Sequence, residues 1–205
     1  MLATAAMRRA CTRTLCASPR VMRPTSQPTL SFDPSAKTAM DKQEPPAPGA
    51  DFRVVIVGAG NINFGSDEGP WNHSFRLEHK LGPRLKVVAL IDPDAERARR
   101  VLKTKCQSFV LSAYKDTVVY PTFKDYMASV CAETYPHAVW VGSPPAFRGG
   151  TEPGRNLEQL LTAGLPNVPL FIEKPVSTGA VDQTFEVAKM LEQNGSLVSL
   201  SLIHI

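Results

Sequence analysis

The chain has 205 residues and a formal charge of +4, but that charge sits at one end: residues 1–50 hold seven Lys/Arg against three Asp/Glu, while residues 51–205 hold sixteen of each. An electroneutral body lacks the clustered cations that nucleic acid or an anionic membrane surface requires, so neither is expected as a partner. No uninterrupted apolar run nears the roughly 18 residues of a bilayer span, so a soluble chain is expected.

The four cysteines, Cys11, Cys16, Cys106 and Cys131, form no CxxC pair and no Cys/His group at metal-ligand spacing. They read as reduced thiols, with Cys106 and Cys131 buried or half-buried on helical segments. No metal is expected.

Residues 1–30 carry five arginines (Arg8, Arg9, Arg13, Arg20, Arg23), and no acidic residue precedes Asp33. That is the composition of a mitochondrial presequence, and a helix over Leu2 to Cys16 would set Arg9 and Arg13 on one face. A disordered basic tail accounts for the same residues, so both a mitochondrial and a cytoplasmic location stay open. Glu44 to Gly49, EPPAPG, reads as an extended linker. Residues 1–50 are thus set apart, and one domain is expected over 51–205.

Phe52 to Val57, FRVVIV, ends in Gly58 and reads as a strand buried on both faces. Leu85 to Ile91 is the next such run. Between them Pro70 to Leu81 is predicted helical, with Pro70 in its first turn, Trp71, Phe75 and Leu81 facing the core, and Gly82 as its stop. Asp94 to Lys105 is predicted helical, acidic early and basic late as the helix dipole favours.

Val118 to Tyr120 reads as a third strand and Phe123 to Thr134 as an amphipathic segment. Ala138 to Val141 is a fourth strand, followed by Gly142, Ser143, Pro144 and Pro145. Gly154 to Ala163 is predicted helical, Val168 to Ile172 a fifth strand, Val181 to Gln193 a helix closed by Gly195, and Leu197 to Leu202 a sixth strand. Regular alternation of strand and helix predicts an α/β fold, a doubly wound parallel sheet of Rossmann type. Ligands bind such sheets at the carboxyl ends of the strands, where the strand order reverses.

The first strand runs into Gly58, Ala59, Gly60, Asn61, Ile62 and Asn63. Glycines here permit a tight turn and the close approach of a pyrophosphate. The full GxGxxG fingerprint would carry Gly or Ala where Asn63 stands, and Asp67 and Glu68 fall near where an anion would sit. Either that loop folds outward or the Gly58 to Gly60 turn holds the phosphates alone. A structural turn with no ligand is the competing reading.

Asp92 ends the second strand, where a carboxylate accepts a hydrogen bond from the adenosine ribose and repels a ribose phosphate. Pro93 and Asp94 follow rather than Arg or Lys, so NAD is favoured over NADP. The alternative role for Asp92 is the N-cap of the following helix.

With Glu173, Lys174 and Pro175 after the fifth strand, the order of motifs resembles the N-terminal domain of the Gfo/Idh/MocA (glucose-fructose oxidoreductase, inositol dehydrogenase, rhizopine catabolism) family over about residues 52–203. GAGNINFGSDEGPWNHS, GSPPAFRG and FIEKPVSTG look most like its fungal members. The resemblance implies hydride exchange between a CH–OH carbon of a sugar or polyol and a nicotinamide. It also implies that Lys174 hydrogen-bonds the reacting hydroxyl and assists its proton transfer, that Glu173 and Pro175 shape the nicotinamide pocket, and that Ser143, Pro144 and Pro145 line the cofactor's path. A partly desolvated lysine at a strand end could serve as such a proton shuttle.

Two departures qualify what the resemblance implies. Many members carry a His just after the Pro-containing loop, where this chain has Phe147 and Arg148. The family's second α/β domain, which supplies the substrate wall and usually the oligomer interface, would follow Ile205. It is therefore expected to be absent, leaving the chain catalytically incomplete and without the usual oligomer. His204 is no replacement. The competing functions are a non-catalytic dinucleotide-sensing regulator, like the family's galactose-regulon repressors, and a truncated product whose exposed apolar face prevents stable folding.

Overall fold

The computed structural model describes residues 46–66 and 71–201. The basic N-terminal segment, Asp67, Glu68, Pro70, Leu202 and His204 lie outside the described residues, and with them the expectations placed on those positions.

The elements in chain order are β1 (Phe52–Val57), α1 (Asn61–Phe64), α2 (His73–Leu81), β2 (Leu85–Ile91), α3 (Ala95–Cys106), α4 (Leu111–Tyr114), β3 (Val118–Tyr120), α5 (Phe123–Met127), β4 (Ala138–Val141), α6 (Leu157–Gly164), β5 (Leu170–Ile172), α7 (Val181–Gln193) and β6 (Val198–Leu200). All six strands are parallel, in the order β3-β2-β1-β4-β5-β6. This is a Rossmann-type α/β fold. The order reverses between β1 and β4, so the crevice at their carboxyl ends is where a ligand is expected.

Each central strand feeds two cores, because successive side chains point to opposite faces. Val54 and Ile56 join Leu77, Leu90, Ala98, Leu102 and Tyr114 on the face covered by α2, α3 and α4. Val55 and Val57 join Val139, Val141, Leu161, Leu170, Ile172 and Val187 beneath α5, α6 and α7. On the α2 face an apolar cavity of about 380 Å³ opens between α2 and Phe52, Trp140, Phe171 and Leu197. No described helix is long and apolar enough to cross a membrane.

Several boundaries differ from the predicted ones. The helix predicted over Pro70 to Leu81 is α2 and begins at His73, because Asn72 caps it by accepting from the Phe75 amide at 2.9 Å. The inward face is therefore His73, Ser74 and Leu77, while Trp71 and Phe75 are exposed and Leu81 is half-buried. The segment after β3 is helical only to Met127. Beyond it Thr134 Oγ1 accepts from the Cys131 amide at 2.9 Å and closes a turn that competes with the helix. Cys131 is exposed rather than buried, and Cys106 is half-buried.

Gly154 adopts φ +86° in a turn, so α6 starts three residues later, at Leu157. The fifth strand starts at Leu170 after Pro169, which has no amide to donate to the ladder.

Candidate nucleotide site

The turn after β1 is built around one glycine that must be a glycine. Gly58 has φ +98°, and a Cβ there would lie 2.9 Å from the Ser143 amide nitrogen and 3.0 Å from the Gly142 carbonyl. The end of β1 and the end of β4 thus touch backbone to backbone across the switch point. Gly60, by contrast, has nothing within 4 Å of where a Cβ would stand. It faces open space at the start of α1 and offers no side-chain cap. The Asn63 and Phe64 amides already donate to the Gly60 carbonyl at 3.1 Å each, so it is the Asn61 and Ile62 amides, ahead of them, that can be offered to an anion. A backbone cradle open at Gly60 and closed by contact at Gly58 fits a pyrophosphate.

Asn63 takes the place of the third glycine by a different route. It is fully buried, and its Nδ2 donates to the Gly58 carbonyl at 2.7 Å and the Val57 carbonyl at 3.2 Å. The carboxamide lies against Gly142, where an added Cβ would collide with it. The glycine that permits close packing has moved from α1 to the end of β4. Asn61 is exposed and Ile62 half-buried on the same short helix.

Asp92 is buried and serves three donors. Its Oδ2 accepts from the Ala59 amide at 2.6 Å, and its Oδ1 accepts from the Asp94 amide at 2.8 Å and from Arg97 at 2.9 Å. The cap of α3 is Asp94, whose side chain accepts from the Arg97 amide, so Asp92 does not have the N-cap role. Asp92 instead ties the glycine turn to the end of β2. Arg97, missed in the sequence because it stands five residues on, is brought back to Asp92 by the turn at Pro93–Asp94 and the first turn of α3. It is exposed, and the hydrogen bond it donates to Asp92 holds its guanidinium above the usual range.

Around the ends of β4 and β5, Ser143 is half-buried with its Oγ enclosed and unpartnered, Pro144 is exposed, and Pro145 is half-buried in a short 3-10 turn. Phe147 is exposed, whereas Arg148 is buried. Arg148 Nε donates to the Ser143 carbonyl and Nη1 to the Val176 carbonyl, each at 2.9 Å. This guanidinium therefore straps the loop after β4 to the loop after β5. Burial pulls it below its usual range, while the nearby Glu158 and Glu173 carboxylates oppose that shift. Glu158 accepts from the Gly149 amide at 2.8 Å, and burial pushes its carboxyl up.

Glu173 is buried, and its amide continues the ladder to the Val141 carbonyl at 2.9 Å. Its Oε2 lies 2.5 Å from His73 Nε2, and its Oε1 has no partner among the described residues. Lys174 and Pro175, joined by a cis peptide bond, are exposed, and the Lys174 ammonium stands 5.7 Å from the centre of the Trp71 ring. Lys174 is exposed here rather than partly desolvated as expected, with the Trp71 ring beside its ammonium.

His73 was not singled out in the sequence, where an Asn-His-Ser run signals a cap and nothing more. Burial holds its pKa below the ordinary 6.5, against the pull of Glu173. His137 is shifted the same way by burial, with the Arg53 charge adding to it. Rings that stay neutral in the fold and protonate when unfolded mean that the unfolded chain binds more protons below about pH 6.5. Stability should therefore fall as pH drops through that value and level off once the folded rings also protonate. Glu158 acts with the opposite sign, so the clean measurement is a difference. His73→Gln should give a shallower loss than the native chain in chemical denaturation between about pH 7 and 5. Equal slopes would contradict the shift.

A sequence model described as an oxidoreductase family with an NAD-binding Rossmann fold, Gfo/Idh/MocA, matches residues 52–202. The chain belongs to this family. Two uncharacterized proteins of Schizosaccharomyces pombe are 42% and 41% identical to it over 154 and 152 residues. Those stretches cover 74% and 73% of this chain but 40% and 37% of the relatives, so the chain spans well under half of their length.

Among solved structures, the WlbA dehydrogenase of Chromobacterium violaceum, determined with NADH and UDP-GlcNAcA, superposes with a TM-score of 0.52 at 16% identity. It covers 77% of this chain and 37% of that one. A super-repressor mutant of Gal80p from Saccharomyces cerevisiae also gives 0.52, at 17% identity, covering 74% and 34%. At such identities the likeness is one of fold.

Proposed function

We propose that this chain is the dinucleotide-binding part of an oxidoreductase acting on CH–OH groups of a sugar or polyol, with NAD(H) as its cofactor. The observation that carries this is the crevice at the switch point. There Gly58, Gly60 and Asp92 form a backbone cradle beside Ser143, and the Glu173–Pro175 loop stands at the end of β5, two strands from the turn. The bound nicotinamide would supply hydride acceptance or donation. The chain's own residues orient and hold it: the Gly58–Gly60 turn takes the phosphates, Asp92 faces the ribose, and Lys174 assists the proton of the reacting hydroxyl.

NADH fluorescence titration of the native chain tests the reading, and saturable binding lost in Gly60→Asp is expected. Absence of binding would remove the proposal. The regulatory reading predicts that Lys174→Ala leaves cellular function unchanged, whereas the enzymatic one predicts its loss.

Cofactor choice rests on a balanced pair rather than on Asp92 alone. The Asp92 carboxylate repels a ribose phosphate, but Arg97, 2.9 Å away, offsets part of that charge and could itself meet a phosphate. Asp92→Asn keeps an acceptor for Ala59 and removes the repulsion. It should shift preference toward NADPH by roughly tenfold, about 1.4 kcal/mol, and Arg97→Ala should shift it the other way. Paired titrations with NADH and NADPH read this directly. An unchanged ratio in both variants would mean that the ribose lies elsewhere.

A further inference from the structure

The N-terminus of α2 reaches the Glu173–Lys174 dipeptide twice. His73, the first helical residue, meets the Glu173 carboxylate at 2.5 Å, and Trp71, two residues earlier, lies under the Lys174 ammonium at 5.7 Å. Asn72, between them, is fixed from both sides. Its Oδ1 accepts from the Phe75 amide and the Ser74 hydroxyl, and its Nδ2 donates to the Phe64 carbonyl of α1 at 3.3 Å. Three consecutive residues therefore connect the glycine-turn helix to the loop after β5.

The His73 ring is held in turn by aromatic neighbours. Its centre lies 5.3 Å from that of Trp140 and 5.2 Å from that of Phe171, and those two rings stack on each other at 3.7 Å. In this setting the Nε2–H tautomer donates to Glu173 and leaves Nδ1, which has no partner, as a bare lone pair. Glu173 depends on that donor. It is 2% exposed, its second oxygen has no partner among the described residues, and its further electrostatic partner, Arg148, directs Nε and Nη1 to two carbonyls. A buried carboxylate deprived of its hydrogen bond either takes up a proton or moves toward water, and both outcomes release its grip on the first turn of α2.

We propose that His73 is a positioning residue for Lys174: by holding the Glu173 carboxylate against the first turn of α2, it fixes the loop after β5 so that Lys174 stands over Trp71. This rests on the reading of Lys174 as the proton-handling residue. The placement itself can be measured without any dinucleotide.

Reductive methylation of the full chain with ¹³C-formaldehyde turns each lysine into a dimethylammonium probe that keeps its charge. The Lys174 signal is assigned by its loss in Lys174→Arg. In the native chain it should lie upfield of the other lysine signals, because it sits over the face of the Trp71 ring. His73→Gln places an amide N–H where Nε2 stood and should keep that shift. His73→Asn is one methylene too short to reach Glu173 and should lose it. A merely structural role would lower the melting temperature of both variants without moving the Lys174 signal.

The proposal is overturned if folded His73→Asn keeps the upfield signal, or if His73→Gln loses it equally. It is also overturned if the native signal is not upfield. Should His73→Asn fail to unfold cooperatively, Glu173→Ala gives the same reading, loss supporting and retention refuting. Failure of NADH titration would remove the proposed cofactor role while leaving this result intact.

Discussion

Gly142→Ala is expected to destabilise the chain by roughly 2–3 kcal/mol and to abolish NADH binding, although it adds a single methyl group. The added Cβ meets the Asn63 carboxamide, which is fully buried and cannot swing into solvent. To make room, Asn63 must release the Gly58 and Val57 carbonyls that its Nδ2 holds, and those carbonyls shape the turn.

The arrangement makes a specific double-mutant prediction. Asn63→Ala alone should cost about 1–2 kcal/mol through the two lost hydrogen bonds. Added to Gly142→Ala it should cost less than the sum by at least about 1 kcal/mol, since the collision no longer exists. Urea denaturation of the four proteins measures the cycle. Simple additivity would mean that Asn63 does not fill the space over Gly142.

Arg148→Met should be at least as damaging, at roughly 3 kcal/mol. The substitution keeps much of the apolar stem but strips two carbonyls, those of Ser143 and Val176, of their charged donor. It also leaves buried Glu158 and Glu173 without the nearest compensating charge. Against a typical total stability of about 5–15 kcal/mol this is a large fraction.

Because the strap joins the loops after β4 and β5, NADH affinity should fall as well, by about tenfold or more. Arg148→Lys should recover only part of both losses, since one ammonium has no rigid fork with which to reach two carbonyls. Thermal melts and NADH titration of the three proteins decide it. A native-like Arg148→Met would show the strap to be dispensable.

Much of the architecture was legible because parallel strands buried on both faces are short continuous apolar runs that end at glycine or Asp. The bounds of β1, β2 and β4 come from that pattern, those of the partly exposed β3 from its Val-Val-Tyr run, and those of α7 from its helical periodicity and Gly195. The misses share a different cause. Four-residue α1 and α4 are too short to show a period, and the start of α2 was decided by an Asn72 side-chain bond rather than by Pro70. With that start Trp71 precedes the helix, Phe75 is exposed and His73 meets Glu173.

Within the site, sequence order placed Gly58, Gly60, Asp92 and Glu173–Pro175 at strand ends, since each directly follows an apolar run. Local sequence could not show that Asn63 needs Gly142, seventy-nine residues away, or that Arg148 holds Val176. Those pairings depend on β4 lying next to both β1 and β5, which is a property of strand order and not of any segment.

Fold class, glycine turn and family can be read from the chain alone, because these rest on periodicity and on motifs contiguous in the chain. That Asp92 is already engaged by Ala59 and Arg97, that His73 meets Glu173, and that Lys174 stands over Trp71 emerges from the folded arrangement. A buried polar group must find its partner in space, and the winding of the sheet brings that partner from a distant part of the chain.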